Sequence, residues 1–182
     1  SDLSKILDIE NLILIDKTSP LLYSKIESLY DNEEYDTVIS TINAEFHENR
    51  YIDISYLIIM ICSYLFKSKD LFADIGCLYK DLDVLLDKYN SSLSPVENYE
   101  KYVTKSFTRL NKVILYLLDK DSGLSIEFEQ LSTIMDNINT FNKKFKDIYK
   151  IDLTVQKSFI SFYKIFSAER EVLKSKVTDS EN

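Results

Sequence analysis

His47 is the only histidine in the chain, and the stretch Glu45-Phe46-His47-Glu48 around it lacks HExxH spacing. A two-histidine metal site needs both imidazoles on one helical face, and a carboxylate-bridged di-iron bundle needs two Glu-x-x-His motifs. One histidine supplies neither. A histidine at the end of an amphipathic helix reads as a solvated or helix-dipole residue. The loop Asp119-Lys120-Asp121-Ser122-Gly123 resembles the opening of a calcium loop. Counted from Asp119, Gly123 stands fifth and Gln130 twelfth, where that loop needs glycine sixth and glutamate twelfth. A plain turn around Gly123 fits better. Adjacent carboxylates (Glu33 and Glu34, Asp81 and Asp83, Glu127 and Glu129) point apart on a helix, so none forms an acid–base pair. No catalytic, cofactor-binding or metal-ligating residue is therefore assigned, and the chain is expected not to be an enzyme.

Lys143, Lys144, Lys146 and Lys150 alternate with Phe141, Phe145 and Tyr149, a mixture that can bind single-stranded nucleic acid. Helical spacing turns Phe141, Phe145 and Ile148 one way and Lys143, Lys146 and Lys150 the other, which describes a solvated basic face. Charge agrees. The net −8 divides into 8 basic and 19 acidic side chains over residues 1–100, and 14 and 11 over 101–182. The acidic half repels a phosphate backbone and the other half is only weakly basic. Such asymmetry suits encounter with a protein partner. Cys62 and Cys77 form no disulfide framework and, set among apolar neighbours, are expected as buried free thiols in a reducing compartment.

The chain has 182 residues, two glycines and two prolines. That excludes turn-rich sandwiches, propellers and glycine-rich phosphate loops. It leaves long helices with short connections. Nineteen of the 22 basic residues are lysine, which with abundant Ile, Asn, Tyr and Phe points to an AT-rich genome. The first ten residues lack an apolar signal region, so a cytoplasmic location is expected. The longest uncharged stretch, Ile54 to Phe66, is 13 residues and too short for a membrane span of ~20.

Seven helices follow from apolar spacing. Ser19 and Pro20 open the first, which ends near Tyr30, and Asn32 is expected to cap a second through Phe46. Asp53 caps a third, Ile54 to about Ser68, apolar nearly all round and therefore central. A fourth begins at Asp70 and presents Leu71, Ile75, Leu78, Leu82, Leu85 and Tyr89. Ser94-Pro95 opens a fifth, to about Asp119; Ser125 caps a sixth and Thr154 a seventh, to about Lys174. Strand-like alternation of useful length is absent. The expectation is an all-α bundle of about seven helices in one domain, 1–174, with a disordered polar tail, 175–182. The missing initiator Met and that tail suggest a domain from something longer.

On the last helix, Val155, Phe159, Phe162, Tyr163 and Phe166 cluster on one side while Ile160 and Ile165 fall outside. That surplus apolar arc nominates Ile160, Phe162, Ile165 and Phe166 as a partner interface. Gly76, inside the fourth helix, calls for close helix packing.

The block from Asp53-Ile54-Ser55-Tyr56-Leu57 through Lys69-Asp70-Leu71-Phe72-Ala73-Asp74-Ile75 to Leu82–Pro95 resembles the ImpA-type N-terminal domain of type VI secretion TssA-like proteins. Leu85-Leu86, Tyr89, Leu93 and Pro95 keep the family's register, and Gly123–Leu131 looks like its later helix. The resemblance implies a helical, non-catalytic assembly component without cofactor. Such a component works in the bacterial cytoplasm against baseplate, membrane complex, sheath or tube, with oligomerisation through other regions. The alternative is a viral Bcl-2-like interaction modulator, suggested by an apolar central helix ringed by amphipathic ones. An enzyme whose site is assembled from distant residues is a third reading.

Overall fold

Ser19 and Pro20 start the first helix as their types require. The Ser19 hydroxyl accepts from the Leu22 amide, and Pro20 sits where no backbone donor is needed. The computed structural model describes residues 11–46, 50–68, 74–91, 97–119 and 126–181. Among these the order is β1 (Ile13–Ile15), α1 (Pro20–Asp31), α2 (Tyr35–Phe46), β2 (Tyr51–Asp53), α3 (Ile54–Lys67), α4 (Ile75–Leu86), α5 (Tyr99–Leu118), α6 (Phe128–Tyr149) and α7 (Lys157–Glu181). A 3-10 turn at Leu153–Val155 precedes α7. The fold is the expected all-α bundle with seven helices among the described residues. His47, Asp70, Ser94, Pro95, Gly123 and Ser125, to which caps, turns or chemistry were assigned above, lie outside them.

Helix α3 is central. Eleven of its fourteen residues are buried, Ser55 and Ser63 included. Asp53 caps it, accepting from the Ser55 amide at 2.8 Å and the Ser55 hydroxyl at 2.5 Å. Helices α2 and α5 pack along α3, α1 lies against α2, α4 pairs with α6, and α7 covers α5 and α6. The core is one continuous apolar cluster running from Leu14 to Phe166. Aromatic rings join the pairs: Phe107 of α5 meets Phe141 and Phe145 of α6 at 5.8 and 5.4 Å.

The two strands are a departure from expectation. β1 and β2 pair in parallel, Leu14 opposite Ile52, and Ile15 makes a further parallel bridge to Asn90. Three-residue strands are too short to display a period of two, so nothing in the spacing announces them. What they do is pin the segment before α1 onto the start of α3. The Tyr56 hydroxyl accepts from the Ser19 amide at 2.8 Å and donates to the Ser19 carbonyl at 3.1 Å. Ser106 of α5 donates to the Ser55 carbonyl at 2.7 Å. The Tyr23 hydroxyl lies 3.0 Å from that of Ser106 and donates to the Tyr102 carbonyl at 3.3 Å.

Several boundaries also differ. Asn32 ends α1, its amide donating to the Ser28 carbonyl, and does not start α2. Helix α6 begins after Glu127, whose amide donates to the Gln130 side chain at 3.0 Å. Thr154 lies inside the 3-10 turn, held by Asp152, which accepts from its amide and hydroxyl at 2.9 and 2.6 Å. Helix α7 does not stop near Lys174; the polar segment expected as a disordered tail continues it to Glu181. No glycine or proline interrupts that stretch, and Ser175 and Thr178 satisfy their hydroxyls on the Glu171 and Lys174 carbonyls.

Cys62 is buried as expected, but Cys77 is exposed, and both are free thiols. On α4 the inward stripe is Ile75, Leu78, Tyr79, Leu82, Leu85 and Leu86. Cys77 sits one step off it, on the face shared with Lys80 and Val84. Apolar sequence neighbours did not make it a core residue.

Candidate functional site

The four residues nominated on the last helix separate in the fold. Phe162 and Phe166 are 1% and 0% exposed, wedged among Phe159, α5 and α6. They are core and offer nothing to a partner. Ile160 and Ile165 are 55% and 53% exposed. At 100° per residue they stand about 140° apart on either flank of the buried stripe, so they do not form one face. The surplus arc is two shoulders.

Val155 marks a second correction. Counted along a continuous helix it joins the Phe159 stripe, yet it is 63% exposed. The 3-10 turn ends at Val155 and α7 starts at Lys157, so helical phase does not carry across Gln156. On the Ile160 shoulder the surface is concave. A shallow groove of about 450 Å³ is bounded by Thr154, Phe159, Ile160, Tyr163, Lys164 and Ser167. Its position is fixed by Ser158, whose hydroxyl lies 3.1 Å from that of Thr108 on α5, and by Asn139 of α6, which donates to the Tyr163 hydroxyl at 3.4 Å. The groove can hold an aliphatic or aromatic side chain and offers the Lys164 ammonium at its edge.

A larger cleft, about 720 Å³, opens between α1 and α5. Its centre is Arg109, which donates to Asp31 at 2.7 Å and Glu27 at 2.8 Å while its guanidinium lies 5.2 Å from the Tyr30 ring centroid. Lys105 approaches Glu27 at 3.7 Å. Tyr35 and Phe66 stack at 5.1 Å, and Tyr116 closes the aromatic wall 5.6 Å from Phe66. Arg109 is half-buried; its desolvation is outweighed by the Glu27 and Asp31 hydrogen bonds and charges, which raise its pKa further. Beneath the cleft, burial pushes the Cys62 thiol up to about 12, so it is no nucleophile near neutrality.

Arg109 escaped sequence reasoning although signals existed. It is one of three arginines in a lysine-rich chain, and only a guanidinium bonds two carboxylates in a fixed fork. Glu27 and Asp31, four apart, share one face of α1. Nothing local says that α5 lies opposite.

Among the described residues, no group of three His, Cys, Asp or Glu is placed to hold a metal ion. No helix among them is long and apolar enough to cross a membrane. No protein-family model matches the chain, and no curated protein or solved structure matches it.

Proposed function

We propose that this chain is a non-catalytic assembly domain of a bacterial type VI-like secretion system, working in the cytoplasm and binding other components of the machine through helical surfaces. The observation that carries the reading is the resemblance of the Asp53–Pro95 block to the ImpA-type N-terminal domain of TssA-like proteins. The block supplies the central helix α3 and the helix α4, so the resemblance falls on the core of the fold. Baseplate, sheath and tube subunits are the proposed partners. The Ile160 groove is the proposed contact, because it is apolar, concave and held from two neighbouring helices.

The genes beside the coding sequence test this reading. The proposal expects sheath, tube and baseplate genes in the same cluster. A viral genome, or a bacterial locus with none of these, contradicts it and favours the interaction-modulator reading, which rests on the buried α3 ringed by amphipathic helices.

A further inference from the structure

The Ile160 groove is bordered by charge of one sign. Lys164 is the only charged residue that lines it. From Lys157 to Ala168 helix α7 carries two lysines and no acidic residue. At 100° per residue Lys157 and Lys164 stand within about 60° of Ile160, on the same side of the helix. On the other bank, Asn139 of α6 donates to the Tyr163 hydroxyl, and Lys143 follows one turn later on that face of α6. Only residues 150–156 join α6 to α7, so the two helices run antiparallel and this turn leads toward Phe159. Lys143, Lys157 and Lys164 are exposed, and none has an ion pair or hydrogen bond among the described residues. Nearby acidic residues are fewer. Asp136 and Asp147 lie on α6, and Asp152 is already held by Thr154 and Lys146. Lys144 does not count toward the rim, since Asp83 and Asp87 neutralise it against α4.

We propose that the groove takes an acidic amphipathic segment of a partner protein. A bulky apolar side chain of that segment seats between Phe159, Ile160 and Tyr163, and carboxylates beside it pair with Lys143, Lys157 and Lys164. The basic face of α6 is then one bank of a docking site and has a use beyond solvation. Apolar anchors supply the affinity in such helix-in-groove contacts, while the lysines steer encounter and reject basic partners. A nucleic acid suits the site less well, because the floor is apolar and the chain's net charge is −8. A lipid surface is met by a projecting apolar face, whereas this one is concave. The proposal rests on the reading of the Ile160 groove as a partner contact, but not on which machine the partner belongs to.

The test titrates the isotope-labelled full chain with two helical peptides of about 15 residues, leucine on one face and either glutamate or lysine on the other. The glutamate peptide is expected to bind saturably, to shift the amides of Phe159, Ile160 and Tyr163, and to bind about tenfold tighter than the lysine peptide. The double variant Lys143→Glu/Lys164→Glu should invert that preference with its melting curve unchanged, since both side chains are exposed. Equal binding of the two peptides, no shift at the groove, or an unchanged preference in the variant overturns the proposal. So does tighter binding to phosphatidylserine vesicles or to a single-stranded oligonucleotide, which would assign the lysines to lipid or nucleic acid. The genes beside the coding sequence are a separate measurement, so the charge preference and the secretion-system reading can each fail alone.

Discussion

The side-chain amide of Asn137 on α6 donates to the Gly76 carbonyl on α4 at 3.1 Å. A Cβ at Gly76 would lie 3.4 Å from both Asn137 Nδ2 and Ile134 Cγ1. A single methyl group there would thus meet its neighbours at the close edge of van der Waals contact. Glycine inside a helix costs up to ~1 kcal/mol against alanine, and that contact offsets the gain. Gly76→Ala is expected to fall within about 1 kcal/mol of the parent, and Gly76→Leu to lose about 1–3 kcal/mol through overpacking. Urea unfolding of both variants checks the contrast.

Asp53 gives the stability a pH dependence. Burial, only partly countered by its bonds to Ser55, lifts its carboxyl from 3.8 to about 6. Between these values the folded chain holds a proton that the unfolded chain has released, so this group's contribution falls as pH rises from about 4 to about 6. The span corresponds to about 3 kcal/mol. Asp53→Asn keeps an acceptor for the cap and removes the titration. Its unfolding free energy, followed from pH 4 to 7, should lack that decline and exceed the parent's at pH 7.

Among the described residues, four that are not glycine carry positive φ: Glu33, Arg50, Asn98 and Lys150. With only two glycines in the chain, side-chain-bearing residues must make its left-handed turns. Lys150, exposed at φ 59 where α6 ends, occupies the position glycine favours. Lys150→Gly is expected to stabilise by about 1 kcal/mol, read from the chemical-denaturation midpoint.

The separation of the four α7 residues predicts opposite outcomes. Phe162→Ala and Phe166→Ala should each cost about 3–5 kcal/mol, since both rings fill the core against α5 and α6. Ile160→Asp and Ile165→Asp, on exposed shoulders, should stay within about 0.5 kcal/mol of the parent. Circular-dichroism melts of the four variants decide this.

Helix number and the centrality of α3 were legible because apolar spacing and the Ser19, Pro20 and Asp53 signals are local. The parallel strands were hidden, since their pairing is a relation between residues 38 apart in the chain, and three residues show no period. Cys77 and Val155 were misplaced for one reason: apolar type suggested burial, while a single helical step or a 3-10 turn set the side chain outward. The interface residues divided because a wheel locates an apolar arc without saying which part of it a neighbouring helix takes. The Arg109 fork needed α5 laid against α1, with partners 78 and 82 residues apart in the chain, which no local pattern states.

The central claim is tested most directly by measuring binding of the purified chain to baseplate, sheath and tube subunits from the same organism, with parent and Ile160→Asp side by side. The account predicts saturable binding to at least one subunit, weakened tenfold or more in the variant while its melting curve is unchanged. Absence of binding to all three, or equal binding by parent and variant, would contradict it.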